Sequence, residues 1–160
     1  MHARNLVVLL LLAAGCRPSD DDVRRIVRQE MQAAMQKEAV SSRNVIGPYS
    51  PAVRVGGFLF VSGQIALDPQ SGAMMQENIE AETRQVLANL MRVLRAQGYD
   101  SSHVVSATVY LKNMNDYIAV NKVYGGYFQE GNYPARVAVE VSALPKQANV
   151  EIAAIAYKHP

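Results

Sequence analysis

Cysteine and histidine are scarce in this chain of 160 residues, and tryptophan is absent. The single cysteine, Cys16, excludes an intrachain disulfide and leaves no thiol elsewhere for catalysis or metal binding. The three histidines stand at positions 2, 103 and 159, which is not the spacing of a zinc site. The composition therefore argues against a zinc site and against thiol chemistry in the body of the chain.

The charged residues are nearly balanced, with 16 Lys and Arg against 14 Asp and Glu and a net charge of +2. The basic residues are scattered and no aromatic run offers a platform for stacked bases, so no nucleic-acid partner is expected. Hydrophobic residues make up 49% of the chain and charged residues 19%, which is typical of a packed globular protein. The length allows one domain with a short appendage.

The first 16 residues are typical of an export signal. Arg4 precedes an aliphatic run over residues 6–12, which is too short to span a bilayer, and small residues follow. The segment Ala-Ala-Gly-Cys resembles the lipobox of bacterial lipoproteins, although Ala13 stands where leucine is usual. This resemblance implies cleavage before Cys16, lipidation of Cys16, and a membrane-anchored protein of the bacterial cell envelope that faces the periplasm. The alternatives are a plain signal peptide and a buried N-terminal strand with a free cysteine.

A tether is predicted between this signal and the domain. Ser19 or Asp20 can cap a helix whose pattern extends over residues 23–40. Its narrow apolar stripe consists of Val23, Ile26, Val27, Met31, Ala34 and Met35. The helix is either a spacer or a self-association element, and the stripe is too short to fix a heptad register. The predicted parts are a signal peptide at residues 1–15, the tether at residues 16–43 and the domain at residues 44–160.

The domain has the element order β-β-α-β-α-β-β. Helical periodicity starts at Ile79 and stops before Gly98, and a second helix is capped by Asn113 or Asn115 and ends near Gly131. Strands are predicted over residues 53–55, 58–65, 104–111, 135–141 and 150–157. The order predicts an α+β fold, with a mixed sheet and two helices packed on one face.

The last two predicted strands place the guanidinium of Arg136 and the carboxylate of Glu151 in apolar surroundings. Arg136 lies in an alternating strand, and Glu151 lies in a strand that is apolar on both faces. A charge in such a place is either paired or used by the protein. The two alternatives are a buried ion pair between Arg136 and Glu151 and a functional site.

Five segments together resemble the RidA/YjgF family of enamine/imine deaminases. They are IGPYSPAV, FVSGQI, TVYLKNMNDYIAVNKVYGGYF, PAR and LPKQANVEIAAIA, and the resemblance covers residues 45–158. It implies the chorismate-mutase-like α+β fold, and a homotrimer whose sheets form a barrel with a ligand cleft at each subunit interface.

The resemblance also implies the site residues. Arg136 would hold the substrate carboxylate, and Glu151 would help to place the attacking water. Ala138 stands where the best-known branch of the family has a cysteine, so it offers the substrate only its backbone groups. The other substrate-binding positions are Tyr49, Ser62, Gly63 and Asn121. Each of these has a structural alternative: Tyr49 packs, Ser62 and Gly63 shape the strand, and Asn121 is an ordinary helix residue.

The implied reaction is the hydrolysis of 2-imino or enamino acids, such as 2-aminoacrylate and 2-iminopropionate, to 2-oxo acids and ammonia. A guanidinium binds a planar carboxylate through two parallel hydrogen bonds, and a glutamate can aim a water at the C=N carbon. No metal or organic cofactor is required. The alternatives are a non-catalytic small-ligand-binding or holdase-like module, and a hydrolase that acts on a carbamate-like substrate.

Overall fold

The computed structural model describes residues 19–41 and 47–159. The predicted signal peptide and Cys16 lie outside these residues, as do residues 42–46 within the segment that precedes the sheet. Within the described residues, no helix is both long enough and apolar enough to cross a membrane.

Helix α1, Asp20–Ala34, belongs to the first of two compact units, Met1–Gln36. Ser19 caps it, and the Asp22 amide donates to the serine hydroxyl at 3.2 Å. Three aspartates in the first turn complement the positive end of the helix dipole. No residue of α1 is buried, and Val27 and Met31 of its apolar stripe are exposed.

The prediction of a helix over residues 23–40 is wrong at its C-terminal end. Helix α1 ends at Ala34, and Lys37–Ala39 forms strand β1, which pairs with β2, Ala52–Val55. Lysine, glutamate and alanine favour a helix by propensity, but pairing with a neighbouring strand decides their conformation here. The sheet of the second unit, Lys37–Pro160, therefore begins inside the segment that the sequence assigned to the tether.

The second unit is built on one mixed sheet, as predicted. Among the described residues its strand order is β1-β2-β3-β6-β4-β5, and only the β4–β5 pair is parallel. The hairpin of β2 and β3 and the two C-terminal strands match the prediction, and β1 is an addition to it. The remaining strands are β3 (Phe58–Gln64), β4 (Val104–Leu111), β5 (Ala135–Glu140) and β6 (Val150–Tyr157).

Two helices of this unit were also predicted. Helix α2, Ile79–Ala96, is capped by Asn78, whose side chain accepts from the Ala81 amide at 2.8 Å. Helix α3, Tyr117–Gly125, follows a 3₁₀ turn that Asn113 caps. The predicted end near Gly131 is too late, because the Gly-Gly pair at 125 and 126 has little helix propensity and terminates α3.

The hydrophobic core lies between the two helices and one face of the sheet. Helix α2 contributes Val86, Leu87, Leu90 and Leu94, all fully buried. Strand β6 buries alternate residues beneath the helices: Val150, Ile152, Ala154 and Ala156. The alternate residues Glu151, Ala153 and Ile155 are only half-buried, so β6 is not buried on both faces within one chain, although a strand that is apolar on both faces usually is.

The opposite face of the sheet is apolar and open in the single chain. Phe58 and Phe60 on β3 are 44% and 43% exposed, and Val137 on β5 is 51% exposed. These residues alternate with the helix-facing ones on the same strands. Soluble proteins seldom expose a contiguous apolar patch of this kind unless it contacts another surface.

Candidate active site

Four of the predicted site residues line one cavity of about 930 Å³, and we call this group the glutamate site: Tyr49, Ser62, Gly63 and Glu151. The register between β3 and β6 shifts between Val61 and Gln64, so a bulge lies at the two middle residues. The Ser62 hydroxyl donates to the Ser50 carbonyl at 2.7 Å, and the Ser62 amide donates to the Pro51 carbonyl at 3.0 Å. These bonds tie the segment that carries Tyr49 to the bulge.

Gly63 makes room for the carboxylate of Glu151. A Cβ atom at position 63 would lie 1.7 Å from Glu151 Oε1 and 2.7 Å from its Cδ. No side chain can occupy that space unless the carboxylate moves. The glycine is therefore required by the close approach of Glu151, and not only by the local geometry of the strand.

Glu151 has the properties of a group that serves chemistry. It makes no hydrogen bond or ion pair with any other residue that the structure describes, and burial raises the pKa of its carboxyl above the ordinary value. A half-buried carboxylate that faces a cavity without a protein partner can accept a hydrogen bond from water and take its proton.

The loop before β6 is held by a buried acid that sequence analysis missed. Glu82 on α2 is fully buried, and its two oxygens accept from the Asn149 backbone and side-chain nitrogens, each at 2.7 Å. Asn149 stands two residues before Glu151, so this contact fixes the start of the strand that carries the glutamate. The signal was present in the sequence, because Glu82 is three residues after Ile79 and four before Val86, on the apolar stripe of α2.

Arg136 lies in a second group of residues, which we call the arginine site: Tyr117, Asn121, Tyr124 and Arg136. The guanidinium donates from Nη2 to the Tyr117 hydroxyl at 3.3 Å, and its carbon lies 4.6 Å from the centre of the Tyr124 ring. The face of an aromatic ring attracts a cation, so Tyr124 supports the guanidinium from one side. No carboxylate pairs with Arg136 in the part of the chain that the structure describes.

The hydroxyls of this site differ in environment. The side-chain hydrogen bond from Asn121 and the nearby charge of Arg136 lower the pKa of Tyr117, whereas burial raises the pKa of Tyr124 to about 12. The Asn121 Oδ1 and the Tyr124 hydroxyl are buried without a hydrogen-bond partner among the described residues. Tyr124 is a core residue that also contacts Arg136.

Sequence analysis missed Tyr117. The positions 117, 121 and 124 are spaced by four and three residues, which places these side chains on one face of α3. That spacing, beside a predicted substrate-binding asparagine, was the available signal. Ala138 lies two residues after Arg136 on β5, half-buried and packed against the core.

The two sites do not meet within one chain. Strand β4 separates β5 from β6, and Arg136 aligns with Ala107, which aligns with Ala154 under the helices. Glu151 is three residues from Ala154 and so points to the opposite face. The alternative of an intrachain ion pair between Arg136 and Glu151 is therefore wrong, and one chain carries two separate half-sites.

The described residues contain no cluster of three or more His, Cys, Asp or Glu side chains arranged to hold a metal ion. The chemistry of the two half-sites is that of a guanidinium, a carboxylate, amides and phenols.

Comparison with known proteins supports the fold and identifies the family. A RutC family protein of Pyrococcus horikoshii is 51% identical over 125 residues, which are 76% of this chain and 98% of that protein. The 2-iminobutanoate/2-iminopropanoate deaminase of Mus musculus is 48% identical over 115 residues, 72% of this chain and 84% of the mouse protein. The structure of Escherichia coli TdcF with bound serine aligns with a TM-score of 0.70 and 31% identity, covering 76% of this chain and 98% of that one.

The family model described as Endoribonuclease L-PSP matches residues 39–158, which include both half-sites and every strand from β2 to β6. On this match and on the relatives above, the chain belongs to the Endoribonuclease L-PSP family, the family of the RidA/YjgF proteins.

Proposed function

We propose that the protein hydrolyses 2-imino acids and their enamine tautomers to 2-oxo acids and ammonia. The observation that carries the proposal is a pair of charges that have no ionic partner among the described residues, the Arg136 guanidinium and the Glu151 carboxylate. The mouse relative that is 48% identical is named for this activity, and the TdcF structure holds serine, a small molecule with a carboxylate.

The proposed active site forms between copies of the chain in a homotrimer. In this arrangement the arginine site of one copy faces the glutamate site of the next. The open apolar sheet face, with Phe58, Phe60 and Val137, supports it, because association would remove this surface from water. A closed ring with three equivalent interfaces also gives every arginine site one glutamate site.

The reaction follows from the two charges. Arg136 binds the substrate carboxylate through two parallel hydrogen bonds and so fixes the adjacent C=N carbon. Glu151 accepts a hydrogen bond from a water, which attacks that carbon while the glutamate takes its proton. The glutamate returns this proton to the nitrogen, which gives a neutral carbinolamine. Glu151 then takes the proton of the new hydroxyl and delivers it to the nitrogen as the C=O bond forms, the C–N bond breaks, and ammonia leaves. One imino acid and one water give one 2-oxo acid and one ammonia, with no redox step.

The first test is substitution of the arginine. Freshly generated 2-iminopropionate is allowed to partition between enzymatic hydrolysis and trapping by semicarbazide. Loss of two hydrogen bonds to a charged group, at about 1.5–3 kcal/mol each, predicts that Arg136→Ala lowers kcat/KM by a factor of about 10²–10⁴. Arg136→Lys should recover little of the lost kcat/KM, since an ammonium cannot form the two parallel hydrogen bonds of a guanidinium.

The matched control is Arg84→Ala, which removes an exposed arginine from α2. It should leave the rate unchanged. An Arg136→Ala protein with the wild-type rate would refute the proposed mechanism. A wild-type protein that binds 2-oxobutanoate but gives no rate above buffer would select the non-catalytic binding module, which the absence of a thiol at Ala138 favours.

The second test asks whether the site lies between chains. Arg136→Ala and Glu151→Gln chains should each retain only a small fraction of the wild-type rate alone, and equal amounts are unfolded and refolded together. A site shared by two chains is intact wherever an Arg136 from one variant meets a Glu151 from the other, so about a quarter of the sites should regain activity. No recovery in refolded mixed trimers would refute a site that is shared between two chains.

We also propose that the protein is anchored to the bacterial cell envelope by lipid on Cys16. The support is the pattern of the first 16 residues: a basic start, an aliphatic run over residues 6–12, and small residues before the cysteine. Stable anchoring needs at least two acyl chains. Mass spectrometry of the protein extracted from membranes should show a chain that begins at Cys16 and carries the added acyl mass; an unmodified N-terminus refutes the anchor.

A further inference from the structure

The Tyr117 hydroxyl is the one polar group that hydrogen-bonds to the Arg136 guanidinium within the described residues, at 3.3 Å from Nη2. The guanidinium carbon lies 4.6 Å from the centre of the Tyr124 ring and 5.7 Å from that of the Tyr117 ring. Contact with a ring face determines which side of the guanidinium is covered. The planar group can still rotate in its own plane above the ring. A directional hydrogen bond to one nitrogen removes that freedom.

We propose that Tyr117 is a positioning residue, whose hydroxyl holds the Arg136 guanidinium in the rotation that presents two parallel N–H donors to the substrate carboxylate. This inference rests on the proposed function, because it takes Arg136 as the group that binds the carboxylate. The Asn121 side chain stands one turn along α3, on the same face of the helix, and lowers the pKa of the Tyr117 hydroxyl.

The alternative role for Tyr117 is simple packing by its ring. Phenylalanine keeps the ring and removes only the hydroxyl, so Tyr117→Phe separates the two roles. If the hydroxyl orients the guanidinium, its loss weakens capture of the carboxylate but leaves Glu151 and its water untouched. The effect should then fall on KM rather than on kcat.

A positioning role for the hydroxyl also predicts that the affinity for the carboxylate depends on pH, whereas a packing role for the ring does not. The Asn121 hydrogen bond and the charge of Arg136 lower the pKa of Tyr117, so the phenol ionises below its ordinary pH range. The phenolate is an anion beside Arg136, and it competes with the substrate carboxylate. Affinity for the carboxylate should therefore fall as the pH rises through the pKa of Tyr117.

The other groups around the phenol do not reproduce this effect. Burial raises the pKa of Tyr124 to about 12, so it stays neutral over the range in which Tyr117 ionises. The other titratable or charged groups on the elements that carry the site are Arg136 and Glu140 on β5, Asp116 in the preceding turn and Lys122 on α3. Helix α2, which packs against α3, adds Glu80, Glu82, Arg84, Arg92 and Arg95. All of them are present in both the wild type and Tyr117→Phe, so the difference between the two proteins isolates the phenol.

The experiment uses the full-length chain. At pH 7.5, Tyr117→Phe should raise the KM for 2-iminopropionate roughly three- to tenfold and leave kcat within about twofold. 2-Oxobutanoate, whose carboxylate stays ionised, is then titrated by NMR between pH 7 and pH 10. Its affinity should fall with pH for the wild type and stay constant for the variant. The matched control is Tyr127→Phe, which removes a hydroxyl that donates to the Arg84 carbonyl at 3.1 Å, and it should behave as wild type.

Each outcome is decisive. A wild-type KM in Tyr117→Phe, or a loss confined to kcat, overturns the positioning role while leaving the proposed function intact. Should Tyr117→Phe not fold, Tyr117→Leu takes its place in both measurements, and a wild-type KM in that variant overturns the positioning role. A wild type that neither binds 2-oxobutanoate nor accelerates hydrolysis overturns the proposed function, and with it this inference.

Discussion

The close approach of Gly63 to Glu151 allows the site to be perturbed by a single methyl group. In Gly63→Ala the new Cβ would lie 1.7 Å from Glu151 Oε1, where ordinary contact begins near 3.4 Å. The carboxylate must therefore move by more than about 1 Å, and a displacement of that size costs a factor of about 10² in rate. We expect kcat/KM for 2-iminopropionate to fall about 100-fold in the semicarbazide assay, with KM nearly unchanged because Arg136 is untouched.

A double-mutant cycle separates displacement of the carboxylate from general damage. If Gly63→Ala acts by moving Glu151, adding Glu151→Gln to it should cost much less than Glu151→Gln costs alone. Gly125→Ala is the matched control, because a Cβ at position 125 meets nothing within 4 Å. Wild-type activity in Gly63→Ala, or strictly additive losses in the cycle, would refute the reasoning.

Three further predictions follow from the same structure. Glu82→Met leaves the Asn149 amide unpaired in a buried place and should lower the free energy of unfolding by about 1–3 kcal/mol in urea at fixed protein concentration; an unchanged midpoint would contradict the assigned contact. Because burial raises the pKa of Glu151, the acid limb of the pH profile of kcat/KM should lie above the ordinary glutamate value of 4.5 and vanish in Glu151→Gln; a limb that persists belongs to another group. Val137→Asp on the open sheet face should yield monomers without activity in sedimentation and rate measurements, and a fully assembled, active variant would contradict the trimer.

Most elements of the fold could be predicted from periodicity, because the strands and helices of residues 52–157 carry strong local signals. The failures lie where local and tertiary preferences conflict. Residues 37–39 have helical propensity, yet they pair with β2. The end of α3 was misplaced because apolar spacing continued through Phe128, whereas the glycines at 125 and 126 terminate the helix.

The chemistry of the site was predictable by residue type, but its layout was not. The alternation of side chains shows which residues of one strand lie on the same face of the sheet. It does not show which residues of two different strands share a face when a third strand lies between them. Strands β5 and β6 are consecutive in sequence and separated by β4 in the sheet. For this reason Arg136 and Glu151 could be expected to form an ion pair, and only the sheet order shows that they lie on opposite faces.

The division into half-sites implies that recognition and catalysis have different structural requirements. Arg136, Tyr117 and Asn121 lie on two elements of one chain, so a single protomer already holds the guanidinium in place. Glu151 is held equally firmly, by Gly63 on one side and by the Glu82–Asn149 contact before it. Neither half needs a second copy in order to be ordered. We infer that association of the chains aligns the Arg136 guanidinium, which binds the carboxylate, with the Glu151 base. Association therefore contributes more to the rate of the catalytic step than to the affinity for the substrate.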